Sequence, residues 1–157
     1  MKILDFLGDD TIEINLKATT KKDVIEELVN RLVAAGKVSE KEPVVKTLME
    51  REELGSTGIG NGIAIPHGKS PLLKGVVAAF GRSPGGIDFD SLDGEPVYLF
   101  FLLVAPEGEA AIHLKALAKI SRLLKDKYFR QGLMKVESVE EVKRIIQEEE
   151  AAKEAKE

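Results

Sequence analysis

His67 and His113 are the only imidazoles in a chain of 157 residues that has no cysteine. Cysteine nucleophiles, disulfide scaffolds, zinc–cysteine sites and iron–sulfur clusters are therefore excluded. His67 lies in the stretch richest in chemistry, GSTGIGNGIAIPHGKS (Gly55–Ser70). Pro66 fixes its own φ and biases Ile65 toward extended backbone, so the chain enters His67 stiffly. Gly68 then leaves little bulk beside the ring. Two roles are open to such a residue: a hydrogen-bonded loop histidine, or a ring presented so that a partner can reach one nitrogen. The segment is not a nucleotide loop. Gly68-Lys69-Ser70 ends like one, but Ile63 stands where its first glycine belongs, and Ile-Ala-Ile-Pro-His between reads as a strand. The glycines at 58, 60 and 62 lack the Gly-x-Gly-x-x-Gly spacing and precede a strand rather than a helix.

His113 shares a helical stripe with Leu117, Ile120 and Leu124, in the first turn or so after the loop Pro106–Gly108. It reads either as a core-edge histidine or as a neutral ring able to donate to an oxyanion near a helix N-terminus. Arg51, within Glu50-Arg51-Glu52-Glu53, reads either as a solvated surface cation or as a fork suited to a phosphoryl group. A metal held by both histidines and a carboxylate is conceivable, although no short His–His spacing favours it. No Gly-x-Ser-x-Gly elbow offers a hydrolase nucleophile.

The elements that must position these residues alternate between strand and helix. Thr11–Leu16 alternates and predicts a short strand or extended arm. Thr20 predicts an N-cap for a helix with Val24, Ile25, Leu28, Leu32 and Val33 inward, stopped at Gly36. Ser39 and Glu42 predict a capping box for a helix carrying Val44, Val45, Leu48, Met49 and Leu54. Ser56–Gly62 reads as a glycine-rich loop, Ile63–Ile65 as a short strand with His67 at its end, and Val76–Phe80 as a second strand. Ser83–Gly94 reads as a turn-rich excursion, and Val97–Val104 as a strand covered on both faces. Helices are predicted over about 109–124 and 127–134, and a last one after a Ser138/Glu141 capping box. Residues 148–157 form a charged, low-complexity tail with no apolar face, expected to be a frayed, solvated extension. The pattern predicts one α/β domain over residues 1–147, a mixed sheet with helices on both faces.

Net charge is −4, and the tail from Glu148 alone holds five Glu against two Lys. No basic stripe remains to hold nucleic acid. The longest apolar run, Val97–Ala105, has nine residues, far below the ~20 that span a bilayer, and the N-terminus has no signal-peptide pattern. A cytoplasmic protein with no membrane insertion is the expectation.

As a whole, Gly55–Gly68 resembles the phosphorylation-site segment of the IIA domains of the bacterial phosphoenolpyruvate-dependent sugar phosphotransferase system, fructose/mannitol type. That branch includes the nitrogen-related regulatory IIA proteins. The similarity runs on through Pro96–Leu124, where the family's second histidine falls on His113, and covers about residues 1–147. The resemblance implies that His67 accepts a phosphoryl group from the phosphohistidine of the carrier HPr. For sugar uptake the group then passes to a separate IIB component; in the regulatory alternative, the phosphorylation state controls binding partners. The family's arginine, sixteen residues before the phosphorylated histidine, falls on Arg51, and a polar position six residues before it on Asn61. Neutral His67 is then the nucleophile through Nε2, with Nδ1–H tied to a backbone carbonyl. Arg51, the His113 ring and amides of Gly58, Gly60, Asn61 and Gly62 would hold the phosphoryl oxygens, with no metal or other cofactor. The segment VAPEG before the second-histidine helix resembles the fructose type more than the nitrogen-related type. An apolar docking rim is expected from Ile59, Ile63 and the loop near Pro106.

Overall fold

A computed structural model describes residues 1–156. Its central strand is β6 (Val97–Pro106), whose sequence VYLFFLLVAP is buried at nine of ten positions. Such a run can be stable only with both faces covered. β5 (Val77–Ile87) pairs β6 antiparallel along one side. On the other side β3 (Ile63–Ala64) and then β4 (His67–Ser70) pair it parallel, with Ile63 opposite Leu99 and His67 opposite Leu103. β2 (Gly58–Gly60) is antiparallel to β3, and β1 (Ile12–Glu13) is parallel to β5. Among the described residues the sheet has six strands in the order β1-β5-β6-β3-β2, with β4 also on β6.

Alternation along the strands divides the core in two. Leu99, Phe101 and Leu103, with Ile63 and Ile65, meet α3 (Ala110–Leu124), α4 (Lys127–Met134) and α5 (Val139–Ala155) through Ile120, Leu124, Phe129 and Ile146. Phe100, Leu102 and Val104, with Ala64, meet α1 (Lys21–Ala34) and α2 (Lys41–Glu53) through Leu28, Val44 and Leu48. The fold is therefore one α/β domain with helices on both faces of a mixed sheet. Phe101 stacks edge-on to Phe80, and Phe100 to Phe89, at centroid distances of 5.0 and 5.4 Å. Truncating either central phenylalanine to alanine costs about 3–5 kcal/mol by the usual cavity penalty.

Local signals hold at α1, where Thr20 accepts from the Asp23 amide. They also hold at α5, where Ser138 accepts from the Glu141 amide. The second half of that box shifts by one residue: the Glu141 carboxylate takes the Glu137 amide. The box expected at Ser39 is not formed. Glu40 is the N-cap of α2, without a side-chain bond, and Leu54 ends up 85% exposed instead of on the inner face. The arm expected at Thr11–Leu16 is reduced to the two residues of β1. The excursion at Ser83 lies inside β5, where Arg82 is opposite Leu99 but Ile87 opposite Val97. That uneven count loops Ser-Pro-Gly-Gly out of the ladder.

The C-terminal tail departs most from expectation. α5 runs on to Ala155, and Glu150 is 3% exposed. Its carboxylate takes the Ile3 amide at 3.0 and 3.2 Å and the Lys119 ammonium at 3.2 Å. The segment docks through a buried carboxylate, which a search for apolar residues does not register. Glu157 lies outside the described residues.

Candidate functional site

The site forms where β4 runs past the end of β3 and its outer edge stands open between the C-terminus of α2 and the N-terminus of α3. Pro66 carries the chain from β3 to β4, and its carbonyl accepts from the Leu103 amide at 2.9 Å. His67 is therefore the first residue of β4, not the end of the strand before it. Its Nδ1 lies 2.8 Å from the Ile65 carbonyl. A carbonyl can only accept, so Nδ1 carries the proton and Nε2 of the neutral ring carries the lone pair.

His113 is the fourth residue of α3 and is 5% exposed. Its ring meets that of His67 edge-on, with centroids 5.6 Å apart and planes at 68°. His113 Nε2 is buried and has no hydrogen-bond partner among the described residues. Such an atom in a native fold calls for a partner from outside the chain, a water or a bound group. Arg51 reaches the site from the last turn of α2, where one Nη1 donates to the Gly55 carbonyl at 2.9 Å. That bond closes the helix end and leaves the rest of the guanidinium fork for another acceptor.

Glu52, beside Arg51, was hidden in what reads as a solvated acidic run. It is 6% exposed. Its carboxylate accepts from the Thr57 amide at 3.0 Å and from the Thr57 hydroxyl, and pairs with Lys21 at 3.0 Å. Lys21 in turn lies 4.8 Å over the Phe89 ring. These contacts bolt the end of α2 to the start of β2. The usable signal was spacing: Val44, Leu48 and Glu52 recur every four residues on one helix face.

Both histidines are held toward the neutral form. Burial is the main cause for His67, followed by the Arg51 charge, and it outweighs the Ile65 carbonyl and the Glu52 carboxylate, which act the other way. Burial also lowers His113, assisted by the charges of His67 and Lys69. A neutral ring with an exposed lone pair is a nucleophile, and a neighbouring ring plus a guanidinium can hold the oxygens of an incoming anion.

A cleft of about 510 Å³ joins these groups: His67, His113 and Arg51 line it with Thr47, Glu50, Glu53, Leu54, Gly68 and Lys69. A smaller cavity of about 180 Å³ adjoins it, walled by Arg51, Ser56, Thr57, Ile59, Ile65, His67, Leu117 and Ser121. Gly68 suits this geometry, because a Cβ there would stand 3.1 Å from Thr47 Cγ2, a contact tight enough that the α2 side chain would have to give by a few tenths of an ångström.

The glycine segment does not join the cleft as expected. Gly58, Gly60, Asn61 and Gly62 form the hairpin of β2 and β3 and its turn, four ladder positions back along β6. The Gly58 amide donates to Ser56 Oγ and the Asn61 amide to the Asp93 carboxylate. Asn61 and Gly62 line a different cavity, with Tyr98 and Arg130. The backbone of Gly62 has φ +76° and runs against Tyr98, where a Cβ would stand 3.2 Å from the ring. These residues shape a tight turn and close packing, and none of them lines the cleft shared by His67, His113 and Arg51. Of the expected rim, Ile59 is 46% exposed and the loop after Pro106 is exposed from Glu107 to Glu109, whereas Ile63 is 2% exposed.

Residues 5–149 match the profile of the family described as Phosphoenolpyruvate-dependent sugar phosphotransferase system, EIIA 2. Among curated proteins, a fructose-specific EIIABC component of Bacillus subtilis is 41% identical over 93% of this chain, which spans 23% of that protein's length. A nitrogen regulatory protein of Bradyrhizobium diazoefficiens is 46% identical over 80% of this chain and 82% of its own. Among solved structures, the nitrogen regulatory protein IIA-Ntr of Neisseria meningitidis superposes with TM-score 0.86 at 37% identity, over 92% of this chain and 98% of that one. An Escherichia coli enzyme IIA mannitol, solved in complex with phosphorylated enzyme IIB mannitol, gives TM-score 0.75 at 26% identity, over 89% and 96%. The matched segment contains the cleft and all three of its chemically apt side chains, and the chain belongs to the EIIA 2 family of the phosphoenolpyruvate-dependent sugar phosphotransferase system.

Proposed function

We propose that this chain is a phosphocarrier that takes a phosphoryl group from phosphorylated HPr onto Nε2 of His67. The observation that carries the reading is the Nδ1–Ile65 carbonyl bond, which leaves a lone pair on Nε2 in a cleft shared with His113 and Arg51. In-line transfer between imidazoles needs no more than alignment and charge neutralisation. Arg51 supplies charge and donors from α2, and the unpartnered Nε2 of His113 supplies a donor once its ring takes that tautomer. The experiment is incubation with phosphoenolpyruvate, enzyme I and HPr, followed by intact mass and site mapping. One acid-labile phosphoryl group on His67 is expected, and none on a folded His67→Ala variant. Wild-type uptake by that variant refutes the assignment.

Downstream, the reading is transfer to a separate IIB component for sugar uptake in the cytoplasm, supported by the fructose-specific relative and by the mannitol structure solved with its IIB. A second reading has its own support: the 46% identical relative and the structure at TM-score 0.86 are both nitrogen regulatory proteins. In that case phosphorylation controls the binding of partners and no IIB takes the group. Labelled phospho-His67 offered to each IIB of the same cell separates the two.

A further inference from the structure

We infer that Lys69 is a further phosphoryl-binding residue of this site, closing over the group from β4 opposite Arg51; the inference rests on the phosphocarrier reading. His67 and Lys69 are two residues apart on one strand, so their side chains leave the same face about 6–7 Å apart. Gly68 between them turns toward Thr47 of α2, while His67 turns toward His113 of α3. Lys69 therefore shares the histidine side of the strand, and it lines the same cleft. It is exposed, and among the described residues its ammonium has no ion-pair or hydrogen-bond partner. The nearby lysine of α1 is already engaged, Lys21 pairing with Glu52, and one Nη1 of Arg51 is taken by the Gly55 carbonyl.

The charge balance of the transfer favours such a cation. The P–N bond of the donor phosphohistidine breaks, its electron pair returning to the donor nitrogen, as the Nε2 lone pair of His67 forms the new P–N bond. Each ring keeps the proton on its other nitrogen. The phosphoryl dianion thus arrives with one compensating positive charge on the His67 ring, held by Nδ1–H on the Ile65 carbonyl. The ring and Arg51 together match the dianion's two charges, but Glu50 and Glu53 line the same cleft and tip the balance negative, which a second side-chain cation offsets. A lysine suits the second position because its ammonium is a point charge on a flexible stem that can follow a group being transferred.

The test compares wild type, Lys69→Gln and Lys69→Arg, each labelled from radioactive phosphoenolpyruvate through enzyme I and HPr. Lys69→Gln is expected to shift the equilibrium share of label toward HPr by about tenfold, the worth of one exposed charge-assisted contact. In purified phosphorylated protein, with no partner present, phosphorus NMR is expected to show the phosphoryl oxygens protonating at higher pH. Lys69→Arg should restore both. An unchanged phosphorus titration in Lys69→Gln overturns the inference, including the case where transfer slows, because the lysine then serves docking of the partner protein. A wild-type chain that takes no label overturns the phosphocarrier reading and this inference with it. A labelled wild type beside an unaffected Lys69→Gln variant overturns this inference alone.

Discussion

Arg51 and His113 approach one imidazole from two helices, and the two contacts differ in kind. Arg51 brings a permanent charge, so Arg51→Gln should slow single-turnover transfer onto His67 by roughly ten- to a thousand-fold, the range for losing one charge-assisted contact near a transition state. His113→Ala should leave His67 phosphorylated but more slowly; wild-type rates in both variants would reduce the pair to scaffolding. The pH profile follows from burial. Both histidines are lowered from 6.5, so in the window below that value the unfolded chain binds more protons than the folded one. Stability should therefore be undiminished above pH 6.5 and decline as pH falls through the window. The transfer rate, which needs neutral His67, should show its acid limb below 6.5 as well; a limb centred above 6.5 contradicts burial as the dominant cause. At this scale the sequence was legible where chemistry is confined to rare residue types. Two histidines and one Pro-His-Gly segment left few choices. Lys69 and Glu52 belong to common types, and only strand alternation and helix spacing mark them out from solvated neighbours.

Between elements, the placement of Arg51 depends on how α2 is fastened to β2. Glu52 does this with a carboxylate whose side chain is 2% exposed and whose partner Lys21 comes from the first turn of α1. Glu52→Ala removes the acceptor for the Thr57 amide and hydroxyl and leaves Lys21 only the exposed Asp90 carboxylate at 3.7 Å, so it should cost about 3–5 kcal/mol, the usual penalty for breaking a buried pair. Glu52→Gln keeps an acceptor for Thr57 but loses the charge; it should cost less and still slow transfer, because the end of α2 that carries Arg51 is loosened. Denaturant unfolding and single-turnover rates on the same two variants separate the effects. A Glu52→Ala protein as stable as wild type would contradict the fastening role. Most elements were legible from periodicity: α4 lies at Lys127–Met134 as expected, and β6 follows from its apolar run. The position of the glycine-rich segment outside the cleft is not legible in its sequence, because glycine is used for two purposes. A phosphate cradle and a tight hairpin both select it, and only the amide acceptors, Ser56 and Asp93, distinguish them.

Across the whole molecule, the two chain ends are joined by the same device that fastens α2. Glu150 of α5 accepts the Ile3 amide and Lys119 of α3. Lys119 also donates to the Met1 carbonyl, and Lys2 pairs with Glu154 at 3.5 Å. The N-terminal turn, the C-terminal helix and the helix bearing His113 thus share one polar junction, at Lys119, less than two turns along α3 from His113. The exposed Lys2–Glu154 pair contributes little. The buried carboxylate contributes more, because its loss leaves the buried Ile3 amide without its acceptor and takes from Lys119 the nearest of its carboxylate partners. Glu150→Ala should therefore destabilise the fold by about 2–4 kcal/mol, and Glu150→Gln by less, since an amide oxygen still accepts from Ile3. Truncation after residue 147 should cost at least as much as Glu150→Ala, although it removes almost no apolar surface. Transfer onto His67 should persist in the folded fraction of all three, because the junction lies beyond the α3 turns that hold His113. Equilibrium unfolding with urea checks the first expectation and single-turnover labelling the second. A truncated chain with wild-type stability would return residues 148–156 to the status of a solvated tail.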